Sequence, residues 1–375
     1  MRETTQHISP LQYAIIETTA FMGIGIFEFP RHLVLDSGNN AWWGFLVDWF
    51  MAYVGAWLLL KVAAVNPRET LLGMTRNIWP GISYWIFGMV DTIVHLVLPI
   101  IALTQFSFVI ITFFLPDTPS WMIEAVMMGM ATFITWWEFP PLARTIQVVY
   151  IPVMVLSALL LALLLPHVSQ GYALAPSLDL RLLPIFKGAF RTFYIFVGYE
   201  AIPIFWPYIR AQDQPRARLC TYGALTVPGM FYALIIAETL GTEGPWYLVH
   251  LEWPGVSALR LISVTGLLID KLGLLIVVFW GILSLFFISI RLWAITHVIL
   301  PMMRRRTVLW YHAVLTSLAV LIFFLSQTIP NIHGTEQLTA LAMPVLLVVI
   351  IIYPIIFILT AHIKKRNRHP QETHA

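Results

Sequence analysis

The chain has 375 residues, 59% of them hydrophobic and 11% charged, with a formal net charge of +3 and a mean hydropathy of +0.80. A soluble globular chain carries about 25% charged residues, and a soluble fold of this length has no interior for so much apolar surface. High apolar content also excludes disorder, which leaves an integral membrane protein. Its apolar runs are too long for the short alternating strands of a barrel.

In chain order, residues 1–8 are polar and no short apolar stretch ends in a small-residue cleavage site, so no removable signal peptide is expected. A helix needs about 20 apolar residues to cross a bilayer. About ten such runs follow, over residues 10–35, 41–65, 82–114, 121–137, 145–165, 183–208, 219–240, 272–300, 308–327 and 338–362. Runs three and eight are long, which implies tilt or continuation beyond the bilayer. Little chain is left over, so residues 1–375 read as a single transmembrane domain with tails at 1–8 and 363–375. The lone Cys220 excludes an internal disulfide and carries no metal-site pattern. No metal, cofactor or catalytic constellation is expected.

Alternate loops are basic. One set of ends carries Arg2, Arg68, Arg76, Arg144, Arg210, Arg216, Arg218, Arg304, Arg305, Arg306, Lys364, Lys365, Arg366 and Arg368. The opposite loops carry Arg181, Arg260 and Lys271. An excess of Lys and Arg marks the cytoplasmic side, so both termini are expected there, in agreement with an even span count. The basic residues are scattered over short loops and form no patch for nucleic acid.

Two spans are interrupted. The first reads Phe21-Met22-Gly23-Ile24-Gly25-Ile26-Phe27, with Pro30 beyond, and the sixth reads Phe196-Val197-Gly198-Tyr199-Glu200, with Pro203 and Pro207 beyond. Glycine lowers the cost of unwinding and proline removes a backbone donor. Irregular backbone at membrane depth is tolerated only where it is packed in protein or lines a cavity. Interruptions at matching places in two halves point to a midplane binding site. Five spans per half make the second half enter from the other side, so an inverted repeat is expected over residues 9–166 and 183–362. Close helix packing is the alternative use of Gly23 and Gly25.

Charges inside spans are costly and functional by default. Glu200 lies at the second break, as a partner for an ammonium, a proton acceptor or a gate latch; capping of the half-helix that follows is the structural alternative. Asp91 and His95 share a helix face at i, i+4, as a proton-responsive pair, a polar path, or a mutually satisfied hydrogen bond. Glu17 lies about two turns into the first span, where it lines an inner pathway or snorkels. Glu28, Arg31 and His32 fall within one turn of the first span. Lys187 and Arg191 lie one turn apart on the sixth. Converging halves would make these a positive outer vestibule, with local salt bridging as the alternative and Asp48 as a candidate partner. Arg291 is expected to snorkel from the eighth span.

Several motifs resemble one family. Ile8-Ser9-Pro10-Leu11-Gln12, then Gly-x-Gly-Ile and Phe29-Pro30-Arg31, resembles the opening of the spore germination receptor B subunits (the GerAB family). Phe196-Val197-Gly198-Tyr199-Glu200 followed by Pro207-Tyr208-Ile209 resembles that family's sixth span, and Leu268-Ile269-Asp270-Lys271-Leu272 leading to Phe279-Trp280 its approach to the eighth. Glu28 and Gly273 depart from the pattern. The resemblance implies the amino acid–polyamine–organocation superfamily: an all-α membrane fold of about ten spans in a 5+5 inverted repeat with spans 1 and 6 broken, similar to amino acid permeases.

In that fold an amino acid sits between the breaks. Free N–H groups at Gly23, Ile24 and Gly25 would meet its carboxylate, near a helix N-terminus whose dipole favours an anion. Carbonyls near Phe196 and Gly198, or Glu200, would take its ammonium, and Phe193, Tyr194 and Tyr199 would wall its side chain. The resemblance further implies a germinant-sensing subunit of the spore inner membrane, working with receptor subunits of the A and C type. An amino acid or polyamine transporter is the second reading, since fold alone does not fix function. Ser284 and Ser289 are weak candidates for ion coordination with span 1 carbonyls.

Overall fold

In hydrocarbon each backbone polar group must be paired within the protein, and a helix does this within one segment. A computed structural model describes residues 7–137, 139–175, 180–261, 274–303 and 307–372, with the backbone alone for Tyr199 and for residues 365–372. Within these residues the elements are helical, apart from an isolated parallel bridge between Ile8 and Ile209. The segment 268–272 and the basic residues Arg2, Lys271 and Arg304 to Arg306 lie outside the described residues.

The helices are α1 (Pro10–Phe21), α2 (Phe29–Ser37), α3 (Ala41–Ala63), α4 (Leu71–Ile78), α5 (Ile82–Phe113), α6 (Ser120–Thr135), α7 (Phe139–Ala162), α8 (Leu182–Thr192), α9 (Ile202–Phe205), α10 (Gln214–Leu248), α11 (Pro254–Leu259), α12 (Leu275–Met302), α13 (Val308–Ser326), α14 (Ile332–Leu347) and α15 (Tyr353–Glu372). Among the described residues, seven helical stretches are long and apolar enough to cross a membrane, and α6 is a shorter apolar helix. The first and sixth runs are divided, into α1 with α2 and α8 with α9. Short α4 and α11 were not foreseen, because a scan for 20 apolar residues passes over elements of 8 and 6.

Local chemistry sets the ends. Ser9 caps α1: its hydroxyl accepts from Gln12 N (3.2 Å) while Gln12 Oε1 accepts from Ser9 N (3.0 Å), with Pro10 at the first helical position. Thr70, Thr307 and Asn331 cap α4, α13 and α14 by accepting from Gly73 N, Trp310 N and Gly334 N. In α10 the left-handed Gly244 (φ 71°), followed by Pro245, kinks the helix.

Of the long apolar helices described, α12 is the most buried, and it packs on α5, α6, α13, α1 and α7. The broken spans lie beside it, with α1 against α10 and α2 against α8. At one end of the bundle, Ile8 N donates to Tyr208 O (3.0 Å), tying the start of the first span to the end of the sixth. This is called the terminal end below. The opposite end, where α2 stops at Ser37, is the vestibule end.

Candidate functional site

Phe21 ends α1 and Phe29 begins α2, leaving Met22–Glu28 unwound and buried. The left-handed Gly25 (φ 70°) makes the turn, and its carbonyl accepts from Glu28 N and Phe29 N (3.2 and 3.0 Å) to start α2. Any Cβ on Gly25 would collide with the Tyr194 ring, and any on Gly23 with Phe287. Glycine is therefore required at Gly25 both for its conformation and for a close aromatic approach.

Neighbouring helices pair the peptide groups that unwinding releases. From α5, Gln105 Oε1 accepts the Gly25 N–H (2.9 Å) and its Nε2 donates to Glu28 Oε1 (2.6 Å). From α12, Ser284 donates to Gly23 O (2.9 Å). From α10, the Tyr232 hydroxyl meets Phe21 O at 2.6 Å and Ile195 O at 3.0 Å, so one hydroxyl joins both breaks.

The sixth span breaks through a 3₁₀ turn at Phe193–Phe196, an extended Val197 (ψ 127°) and a second turn at Tyr199–Ala201. Gly198 lies where the two spans cross: an added Cβ would stand 2.6 Å from Ala20 O. Glu200 Oε2 accepts the Gly198 N–H (2.8 Å), and Oε1 forms an ion pair with Arg291 Nη1 of α12. Arg291 is fully buried, with its guanidinium over the Phe287 ring (4.8 Å) and Nη1 3.2 Å from His95 Nδ1. His95 Nε2 lies 3.7 Å from Asp91 Oδ1, too far for a hydrogen bond. Glu17 is buried nearby, with Glu200 and Arg291 as its electrostatic neighbours.

At the vestibule end, a cavity of about 270 Å³ reaches down to the breaks. Glu28, His32, Phe190, Arg191, Tyr194, Glu336, Thr339, Ala340 and Met343 line it. Tyr194 donates to Glu28 Oε1 (3.2 Å), while Glu28 Oε2 is buried without a hydrogen-bond partner among the described residues. Glu336 pairs with Arg31 (3.0 Å) and lies 3.4 Å from His32 Nε2, and Arg191 and Lys187 pair with Asp36 (3.2 and 2.7 Å). Both signs of charge thus meet around one small space.

Of the residues singled out by sequence, Gly23, Ile24, Gly25, Phe193, Tyr194, Phe196, Gly198 and Glu200 are all buried at the junction of the breaks. The Tyr199 side chain lies outside the described residues. Tyr194 and Glu28 line the cavity, Arg31 braces it through Glu336, and Glu17, Asp91 and His95 gather toward the terminal end around Arg291.

Several details differ from expectation. The Gly25 N–H is already bonded to Gln105. Arg291 does not snorkel but is enclosed and ion-paired with Glu200. Asp48 bonds Thr192 Oγ1 (2.6 Å), and Glu336 is the partner of Arg31. Ser289 bonds Leu285 O (2.8 Å) within its own helix. Sequence reading missed Gln105, Tyr232 and Glu336. Gln105 alone left a signal, as an amide in the apolar run 82–114.

The sequence profile described as "Spore germination protein" matches residues 7–332. The chain is 22% identical over 291 residues to the Bacillus subtilis (strain 168) spore germination protein YndE, covering 76% of this chain and 78% of that one. It is 22% identical over 366 residues to the Bacillus cereus spore germination protein GerQB, covering 96% and 98%. Among solved structures it resembles MhsT in complex with L-phenylalanine (TM-score 0.61, 13% identity, 95% and 96% covered). It also resembles Mhp1, a nucleobase-cation-symport-1 family transporter with bromovinylhydantoin bound (TM-score 0.63, 14% identity, 92% and 78% covered). The chain therefore has the broken-helix fold of such transporters, and the two interrupted spans are part of that fold.

Proposed function

The chain belongs to the spore germination protein family, and on that premise we propose that it is the ligand-binding membrane subunit of a nutrient germinant receptor, taking a small L-amino acid at the vestibule end and triggering germination. One observation carries the assignment of the site. Glu28 Oε2 is a buried, unpartnered carboxylate oxygen on the wall of a cavity that ends where the two broken spans meet. A ligand ammonium would give that oxygen a charge-assisted hydrogen bond. Arg191, on the same wall, bonds Asp36 through one nitrogen and would offer its other N–H groups to the ligand carboxylate. Phe190, Tyr194 and Met343 provide apolar surface for a side chain. The space falls below the roughly 300–1,000 Å³ of drug-sized pockets, in keeping with a small ligand.

Glu28 takes the ammonium role in this proposal because Glu200 is already occupied by Arg291 and Gly198. Gly23, Ile24 and Gly25 form the floor, reached when Gln105 releases the Gly25 N–H. Occupancy acts by differential affinity for two arrangements of the broken spans, which partner subunits of the A and C type then read. The basic residues Arg68, Arg76 and Arg210 at the terminal end support a cytoplasmic placement of that end, with the vestibule facing outward. The inverted repeat over residues 9–166 and 183–362 belongs to the same proposal.

Binding of radiolabelled L-amino acids to the full chain in lipid nanodiscs tests the site. Zwitterions are expected to bind, and their N-acetyl and ester derivatives to fail. Glu28→Gln should weaken binding about tenfold or more, the worth of a charged hydrogen bond. Equal binding of the N-acetyl derivative would overturn the assignment. The transporter fold favours a second reading, secondary transport of amino acids or polyamines, and uptake by proteoliposomes of this chain alone would establish it.

A further inference from the structure

Away from the vestibule, the terminal half of the bundle holds a second set of buried charges. Glu17, Asp91 and Glu200 have a single guanidinium, that of Arg291, as an electrostatic neighbour, and all four are at most 1% exposed. His95 does not add to the positive side. Arg291 Nη1 can only donate, so His95 Nδ1, 3.2 Å away, is the acceptor and the imidazole is neutral with its proton on Nε2. Three carboxyls therefore stand against one fixed cation. Glu200 is matched by its ion pair. Neither oxygen of Glu17 has a hydrogen-bond partner among the described residues, and neither do Arg291 Nε and Nη2.

A bare carboxylate enclosed in apolar surroundings is too costly to persist, and it neutralises by taking up a proton or a cation. The other polar groups facing Glu17 are committed elsewhere. Tyr13 bonds Thr221 Oγ1 of α10 (3.0 Å). Thr18 and Thr19 donate to Ala14 O and Ile15 O of their own helix (2.8 Å each). The remaining titratable group on the α10 face is the half-buried Cys220, and Asp91 with His95 stands on the α5 side of Arg291. Among the described residues, no group of three or more His, Cys, Asp or Glu gathers to hold a metal ion.

We propose that Glu17 is a proton-binding site: its carboxyl holds one exchangeable proton while α1 is packed on α12, and gives it to water at the terminal end when α1 moves away from Arg291. α1 leads directly into the first break, and Glu200 belongs to the second. The position of the proton is thereby linked to both hinges. The inference stands on this cluster whichever ligand occupies the vestibule.

Infrared spectra of the full chain in lipid nanodiscs test it. A carbonyl band from a protonated carboxylic acid should be present at neutral pH, shift in heavy water, and lose one carboxyl's worth of intensity in Glu17→Gln, whose amide mimics the neutral acid. Glu17→Asp should keep a band at a displaced frequency. An unchanged band in Glu17→Gln overturns the proposal, as does the absence of any such band in the wild type, which needs no variant. Melting in sodium chloride and in choline chloride covers the metal alternative. Equal midpoints are expected, and a sodium-specific rise abolished by Glu17→Gln would assign the site to an alkali cation instead.

Discussion

The two breaks solve the same problem in opposite ways. In the first span the freed peptide groups are paired by side chains sent from three other helices: Gln105 to Gly25 N, Ser284 to Gly23 O and Tyr232 to Phe21 O. In the sixth, the chain turns on itself, with Glu200 reaching back two residues to Gly198 N and a single arginine holding that carboxylate. The first break thus depends on three neutral hydrogen bonds, each replaceable, and the second chiefly on one buried ion pair. Helix–helix hydrogen bonds in membranes are each worth roughly 0.6 kcal/mol, up to about 1.7. Breaking a buried ion pair from one side costs about 3–5 kcal/mol, because an uncompensated charge is left behind.

The largest effect is therefore expected at Arg291. Arg291→Met leaves Glu200 buried without its cation and should destabilise the chain by about 3–5 kcal/mol, read as a fall in melting midpoint in detergent. Arg291→Met combined with Glu200→Gln should recover much of that loss, since replacing both members of a buried pair is far milder than removing one. A double variant no more stable than the single one would show that Arg291 is held chiefly by its stacking on Phe287.

At the first break the sharpest lever is backbone geometry. Gly25→Ala puts a side chain on a left-handed residue, at about 1–2 kcal/mol, and drives its Cβ into Tyr194. The ring must then leave Glu28, so the variant is expected to lose ligand binding in the nanodisc assay while melting only a few degrees lower. Unaltered affinity would remove Tyr194 from the site.

How far these features can be read from sequence follows the same contrast. The apolar runs, both breaks and the charged residues were visible, because Gly, Pro and an intramembrane acid are local signals. Glu200 is legible for that reason, as its backbone partner is two residues away. Gln105 and Tyr232 act on residues 80 and 211 positions distant, and nothing local tells a glutamine in an apolar helix which turn it will face. Arg291 was misread although the signal existed. It lies 11 residues before the end of α12, about 16 Å along the axis, farther than its side chain can reach toward the helix end. The vestibule is legible through Glu28, His32 and Arg191, but its second acid is not, because Glu336, on α14, joins Arg31 from 305 positions away.

The smallest effect, and the one that best separates the two designs, is expected at Tyr232. Its hydroxyl is shared between Phe21 O and Ile195 O, so it hydrogen-bonds to both broken spans. Tyr232→Phe removes the bridge without altering the ring, which also packs edge-on against Phe29 and Phe196. If the two breaks move as separate hinges, the cost is that of an ordinary membrane hydrogen bond, roughly 0.6 kcal/mol, and ligand affinity is unchanged. If they move as one unit held by this hydroxyl, the same small loss of stability comes with a measurable change in affinity, because the bound and free arrangements no longer share the tie. We expect the second outcome: the hydroxyl meets the last carbonyl before the first break and one inside the second, so neither span can unwind further without releasing it.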